Sequence, residues 1–202
     1  MKIIGLTGLY CAGKNYAARI LEERGLPVLD VDKLGHQAIE AERDAIIARF
    51  GESVADGTGA VDRRALGERV FGRPEALAAL EALVHPAANR MTEEWIAGLG
   101  AGACVINAAL LHRCSVFQRL RCVILMKAPF LIRLLRARRR DHLPWGALLR
   151  RFAGQREFNA QYCLQNADIH IVWNSGVSAH PGLYRRRKLE QRIHTILSRE
   201  GI

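Results

Sequence analysis

Residues 5–15 read GLTGLYCAGKN, and this stretch decides the fold. Its frame is Gly8-x-x-x-x-Gly13-Lys14. Glycines let a backbone curl until its N–H groups converge, and the neighbouring lysine adds a full positive charge. Such a loop cradles phosphate. The flanks agree with this reading. Residues 2–7 form a short apolar run that reads as a buried strand. Residues 14–23 read as a helix whose N-terminus favours negative charge, and Gly25 follows as a left-handed cap. The expected ligand is a nucleotide. Lys14 would reach its β and γ phosphates, with Gly8, Cys11, Ala12, Gly13, Asn15 and Tyr16 around them. Asn15 stands where such loops carry a hydroxyl that binds Mg²⁺. An amide carbonyl is also a hard oxygen, so Asn15 is the expected metal ligand.

Working outward, residues 27–30 (PVLD) read as a second strand, followed by a helix over 33–50. Residues 55–62 are turn-rich and suit a small hairpin, after which Asp62 can cap a helix over 63–71. Helices over 75–84 and 87–97 are expected, broken at Pro86. Apolar strands follow at 103–109 and 121–127, then helices at 129–140 and 145–165, a strand at 168–173 and a helix at 181–199. Short apolar strands separated by helices imply an α/β fold: a single domain over 1–202 with a parallel sheet flanked by helices. Two helical insertions stand out, at about 33–98 and about 129–165.

In such sheets ligands bind beyond the carboxyl ends of the strands. Asp30 and Asp32 fall there, just past the second strand. A carboxylate at that place can take a proton from a substrate hydroxyl; alternatively Asp32 caps the helix that follows. The strand near 107 ends in Asn107, where many phosphate-loop proteins carry an acid, so metal anchoring there is weak or runs through water.

The net charge of +10 comes from 30 basic and 20 acidic residues. Residues 133–156 hold eight Arg and one acid, Asp141, which favours an anionic ligand. Arg140, within RARRRD, is placed to clamp a transferring phosphoryl group. Aromatic residues make up 6% and do not interleave with the basic run, which argues against nucleic acid as partner. No apolar run approaches the ~18–20 residues of a membrane helix, and residues 1–8 lack the order of a signal peptide. The five cysteines make no CxxC pair or zinc spacing, as expected of free thiols in a cytoplasmic protein. A monomer or weak oligomer is expected.

The chain resembles the dephospho-coenzyme A kinases from residue 3 almost to its end. The matching segments are GLTGLYCAGKN (5–15), LDVDKLGHQ (29–37), VDRRALGERVF (61–71), LEALVHP (80–86), RRD (139–141) and ADIHIVWNSG (167–176). The resemblance implies transfer of the γ-phosphate of ATP, with Mg²⁺, to the ribose 3′-hydroxyl of dephospho-coenzyme A. It makes Asp32 the catalytic carboxylate, Lys14 the phosphate anchor and Arg140 the lid arginine. It places Asn174 and Gly176 near adenine. The 33–98 insertion becomes the acceptor-binding part and the 129–165 insertion a lid. Two other classes share part of the pattern: nucleoside monophosphate-type kinases, and basic phosphate-loop proteins without kinase activity. The family's loop usually reads GGIGSGKS or GGIGSGKT, so Leu9, Tyr10, Cys11, Ala12 and Asn15 depart from it. The usual PLLFE is here Ala109-Leu110-Leu111-His112-Arg113, and residues 177–188 are more basic than the pattern.

Overall fold

The structure is a computed structural model, and it describes residues 1–153, 167–175 and 183–202. The chain divides into two compact units, Met1–Leu29 with Gly100–Ile202, and Asp30–Leu99.

The first unit is built on the sheet. Strand β1 (Lys2–Gly8) is its middle member. The others are β2 (Val28–Asp30), β3 (Ala103–Asn107), β4 (Leu120–Lys127) and β5 (Asp168–Trp173), in the order β2-β3-β1-β4-β5. β1 runs parallel to β3 and β4, and β4 parallel to β5. A strand covered on both faces reads as a continuous apolar run, and Ile3 to Gly8 are all buried. On one face Ile4, Leu6, Ile124 and Met126 pack under helix α1 (Lys14–Glu22) and the C-terminal helix, called α8 below (Leu183–Arg199). Full burial of each such side chain is worth about 1.5–3 kcal/mol. On the other face space is short: a Cβ on Gly5 would stand 2.6 Å from Leu111. Leu111 belongs to a single 3₁₀ turn, where the expected longer strand ends at Asn107 instead of residue 109.

The second unit is helical. Helix α2 (Val31–Ala41) starts two residues earlier than expected and stops at Glu42, where α3 (Arg43–Phe50) begins. The expected single helix over 33–50 is therefore two. An Ala55–Val61 bridge closes the expected hairpin, and Asp62 caps α4 (Arg63–Val70), accepting from the N–H groups of Arg64 and Ala65. Helix α5 (Pro74–Ala97) runs unbroken through Pro86, contrary to the expected break. An internal proline costs about 3 kcal/mol. Here the positions next to it, Ala87 and Ala88, are buried against Ala38 of α2. A long close-packed seam offsets that cost.

Helices α6 (Phe130–Asp141) and α7 (Trp145–Ala153) return to the first unit. The expected helix over 145–165 is described only to Ala153. Among the described residues, no helix is long and apolar enough to cross a membrane.

Candidate active site

The loop that follows β1 is held from both sides. At its entrance Leu9 N–H donates to Met126 O at 3.2 Å, and a Cβ on Gly8 would lie 2.7 Å from Met126 Cβ. Only glycine fits there. Ala12 N–H donates to Leu9 O at 2.8 Å, curling the loop on itself. Gly13 caps α1 at φ +100°, and a Cβ there would meet Asn174 Nδ2 at 2.3 Å. Cys11 adopts φ +59°, the left-handed region that costs a non-glycine residue about 1–2 kcal/mol. Lys14 and Asn15 open α1, where amide N–H groups have no acceptor within the helix. Asn15 is exposed, whereas Tyr16 packs against the core beneath the sheet.

Arg136 bolts the loop in place. Its Nη1 donates to the carbonyls of Cys11 (3.1 Å) and Ala12 (3.3 Å), and its Nη2 to the Asn174 carbonyl and Oδ1, both at 3.2 Å. Asn174 completes the frame. Its Nδ2 donates to Ala12 O at 3.0 Å and its N–H to Lys127 O at 2.7 Å. With the carbonyls of residues 11 and 12 taken by donors, the loop is pinned by the protein's own side chains. Asn174, expected near adenine, binds the loop through its Nδ2 and Arg136 through its Oδ1. Gly176, expected beside it, lies outside the described residues.

Arg133, Arg136 and Arg140 share one face of α6, at i, i+3 and i+7. Arg133 Nη1 donates to Tyr10 O at 3.4 Å, and its guanidinium lies over the Phe152 ring at 4.8 Å. Sequence reading singled out Arg140 and missed Arg133 and Arg136, although their helical spacing carries the signal. Tyr10 reaches up between these helices. Its ring meets Phe152 edge-on at 5.3 Å, its hydroxyl donates to Asp141, and the Arg140 guanidinium covers it at 5.0 Å. Asp141 also accepts from Arg140 Nε at 2.7 Å and Arg151 Nη1 at 3.4 Å. The lone acid of the arginine run thus gathers Arg140, Arg151 and Tyr10. Burial pushes the Cys11 thiol up, opposed by the charges of Arg140, Arg136, Arg133 and Arg151.

The cap of α2 falls to Asp30, not Asp32: its Oδ1 accepts from Lys33 N–H at 3.2 Å. Asp32 sits exposed in the first turn of α2, in the second unit.

Asn107 is 1% exposed, and its Oδ1 is buried with no hydrogen-bond partner. Its register partner is Leu6, two residues before Gly8. A buried orphan oxygen costs about 1–3 kcal/mol, and a water on a hydrated cation would satisfy it. Asn107 and Asn15 each carry a neutral, hard oxygen, the donor type that suits Mg²⁺.

A parallel sheet whose middle strand turns through such a loop into a helix, beside arginines gathered at that loop, defines a phosphate-loop kinase. Comparison with known proteins narrows the class. Residues 2–179 match the dephospho-CoA kinase family. A dephospho-CoA kinase of Treponema pallidum (strain Nichols) is 33% identical over 210 residues, covering 99% of this chain and 96% of its own length. One of Anaeromyxobacter dehalogenans (strain 2CP-C) is 36% identical over 178 residues, covering 83% and 84%. A crystal structure of a Thermus thermophilus protein superposes with a TM-score of 0.80 at 33% identity, covering 98% of this chain and 97% of its own. A shikimate kinase of Bacteroides thetaiotaomicron (TM-score 0.55, 14% identity, covering 98% of each chain) shares the fold. The chain belongs to the dephospho-CoA kinase family.

Proposed function

We propose that this chain transfers the γ-phosphate of ATP to the ribose 3′-hydroxyl of dephospho-CoA, giving CoA and ADP. The observation that carries the reading is the phosphate loop, held in its curled form by Arg136 and Asn174. Preformed donors need no reorganisation when charge develops on the transferring group.

Lys14 and the first amides of α1 hold the β and γ phosphates. Arg140 leaves Asp141 for the γ-phosphoryl oxygens, drawn by the greater charge. Asp32 accepts the proton of the 3′-hydroxyl as its oxygen attacks phosphorus in line. Gly8, Cys11, Ala12, Gly13, Asn15 and Tyr16 form the nucleotide-binding turn. Mg²⁺, when bound, neutralises the phosphate oxygens; Asn15 would ligate it and Asn107 would hold one of its waters. The segment 33–98 binds the acceptor. The segment 129–165 acts as lid, of which residues 154–165 lie outside the described residues.

A coupled ADP-release assay over dephospho-CoA, AMP, dCMP and water tests this. ADP release should be fastest with dephospho-CoA and stoichiometric with CoA formed. Lys14→Ala should lose more than nine-tenths of the rate while its melting curve holds. Faster release with AMP or dCMP would overturn the acceptor assignment in favour of a nucleotide kinase.

A further inference from the structure

At the far end of the strands from the phosphate loop, three side chains of mixed chemistry converge. Cys122 lies on β4, His170 on β5, and Glu200 just past α8. Their Sγ, imidazole and carboxylate atoms all fall within 4.8 Å of one another. Cys122 is fully buried, and the His170 and Glu200 side chains are 18% and 4% exposed. Cys122 is in register with Ile4, whereas Met126, which meets the loop, pairs with Gly8. Four residues along a strand is about 13 Å, so this cluster stands apart from the nucleotide site.

We propose that Cys122, His170 and Glu200 form a binding site for a Zn²⁺-class divalent cation that fastens the C-terminal end of α8 to the sheet. The donor set is the one such a cation selects: thiolate, imidazole, carboxylate. Charges balance, because one thiolate and one carboxylate neutralise a dication.

The outer partners fit as well. Glu200 Oε2 accepts from Arg121 Nε at 2.8 Å, which fixes the carboxylate, while Oε1 faces His170 Nε2 at 2.9 Å. Lys2 Nζ donates to the Glu200 and Gly201 carbonyls at 3.0 and 2.8 Å, holding the turn that carries Glu200. Such outer contacts orient metal ligands. Tetrahedral geometry with bonds of ~2.0–2.3 Å brings ligand atoms to roughly 3.5 Å of one another, so side-chain rotations of about 1 Å close the site. His170 also lines a groove between β5 and α8, so one of the three ligands borders open space.

On binding, the Sγ–H bond of Cys122 breaks, its proton leaves to solvent, and its electron pair forms the sulfur–metal bond. His170 moves its ring proton to Nδ1 and binds through Nε2. Burial and the Glu200 charge push the empty site's thiol up to about 12, and a bound cation reverses that preference.

The test is Co²⁺ and Zn²⁺ titration of the full chain, nucleotide-free. Co²⁺ should give a thiolate-to-metal charge-transfer band saturating at one equivalent, and Zn²⁺ should displace it and raise the melting temperature. Cys122→Ser should lose the band. His170→Ala should bind at least tenfold more weakly. Both should keep their kinase rate, since neither touches the nucleotide site. If Cys122→Ser fails to fold, His170→Ala decides alone. No saturable band in the parent, a full band in Cys122→Ser, or unchanged affinity in His170→Ala overturns the proposal. In that case the cluster is a closed His170–Glu200–Arg121 ion network.

Discussion

Removing the Arg136 side chain should unpin the phosphate loop, and the size of the effect follows from its contacts. Two guanidinium nitrogens make four hydrogen bonds, to the carbonyls of Cys11, Ala12 and Asn174 and to Asn174 Oδ1. A hydrogen bond from a charged donor is worth about 1.5–3 kcal/mol. The four contacts share two nitrogens, and the side chain is only partly buried. Counting two bonds at the low end gives about 3 kcal/mol for Arg136→Ala. For a chain of this length 1 kcal/mol moves the melting temperature by about 2–4 °C, so the apo protein should melt roughly 6–12 °C lower. Arg136→Lys should recover less than half of that, because one ammonium cannot span both sides of the fork. Adding Asn174→Ala should cost less than the sum of the singles, with a coupling of about 1 kcal/mol. Since the loop must then be ordered by ATP itself, the ATP Michaelis constant should rise by about tenfold, equivalent to about 1.4 kcal/mol. Differential scanning calorimetry and initial-rate kinetics on the parent, Arg136→Ala, Arg136→Lys, Asn174→Ala and the double variant measure all of this. A melting temperature within 1 °C of the parent, with an unchanged ATP constant, would refute the claim that Arg136 holds the loop.

Three further outcomes are expected. Asp32→Asn should lower turnover by ~10²–10⁴-fold with little change in the ATP Michaelis constant, because a proton acceptor acts on the rate; steady-state kinetics with both substrates varied decides it. Tyr10→Phe should destabilise by about 0.5–1.5 kcal/mol through the lost bond to Asp141. Tyr10→Ala should cost clearly more, since the Phe152 edge contact and the Arg140 stack go with the ring; equal denaturant midpoints for the two would show that the ring does not matter. Gly13→Ala should destabilise by at least about 2 kcal/mol, because φ is +100° and the new methyl meets Asn174; a normal melting curve with normal turnover would count against the loop geometry.

The fold was largely legible because its signals are local. Six consecutive buried positions made β1, and Gly8, Gly13 and Lys14 marked the turn. The errors arose where packing overrides local preference. Pro86 marked a helix break, yet the alanine seam of α5 keeps the helix whole. Asp32 was weighed as a cap, but α2 starts at Val31 and Asp30 takes that role. Arg140 stood out through its RRD motif, while Arg136, which touches the loop most, was hidden in an arginine run whose members differ only in the direction they face. The convergence of Cys122, His170 and Glu200 was beyond reach of local spacing, because it depends on which strands are neighbours.

The Asn174 contact with Ala12 spans 162 positions. During synthesis the first strand to appear is the one that ends up in the middle of the sheet, and the turn after it is complete in sequence before 16 residues have emerged. The frame around it, however, is completed only by residue 174. At the ~5–20 residues per second of a ribosome, that is roughly 8–30 s. A nascent or truncated chain that stops before residue 174 therefore carries the full nucleotide motif without the Asn174 half of the frame that holds it.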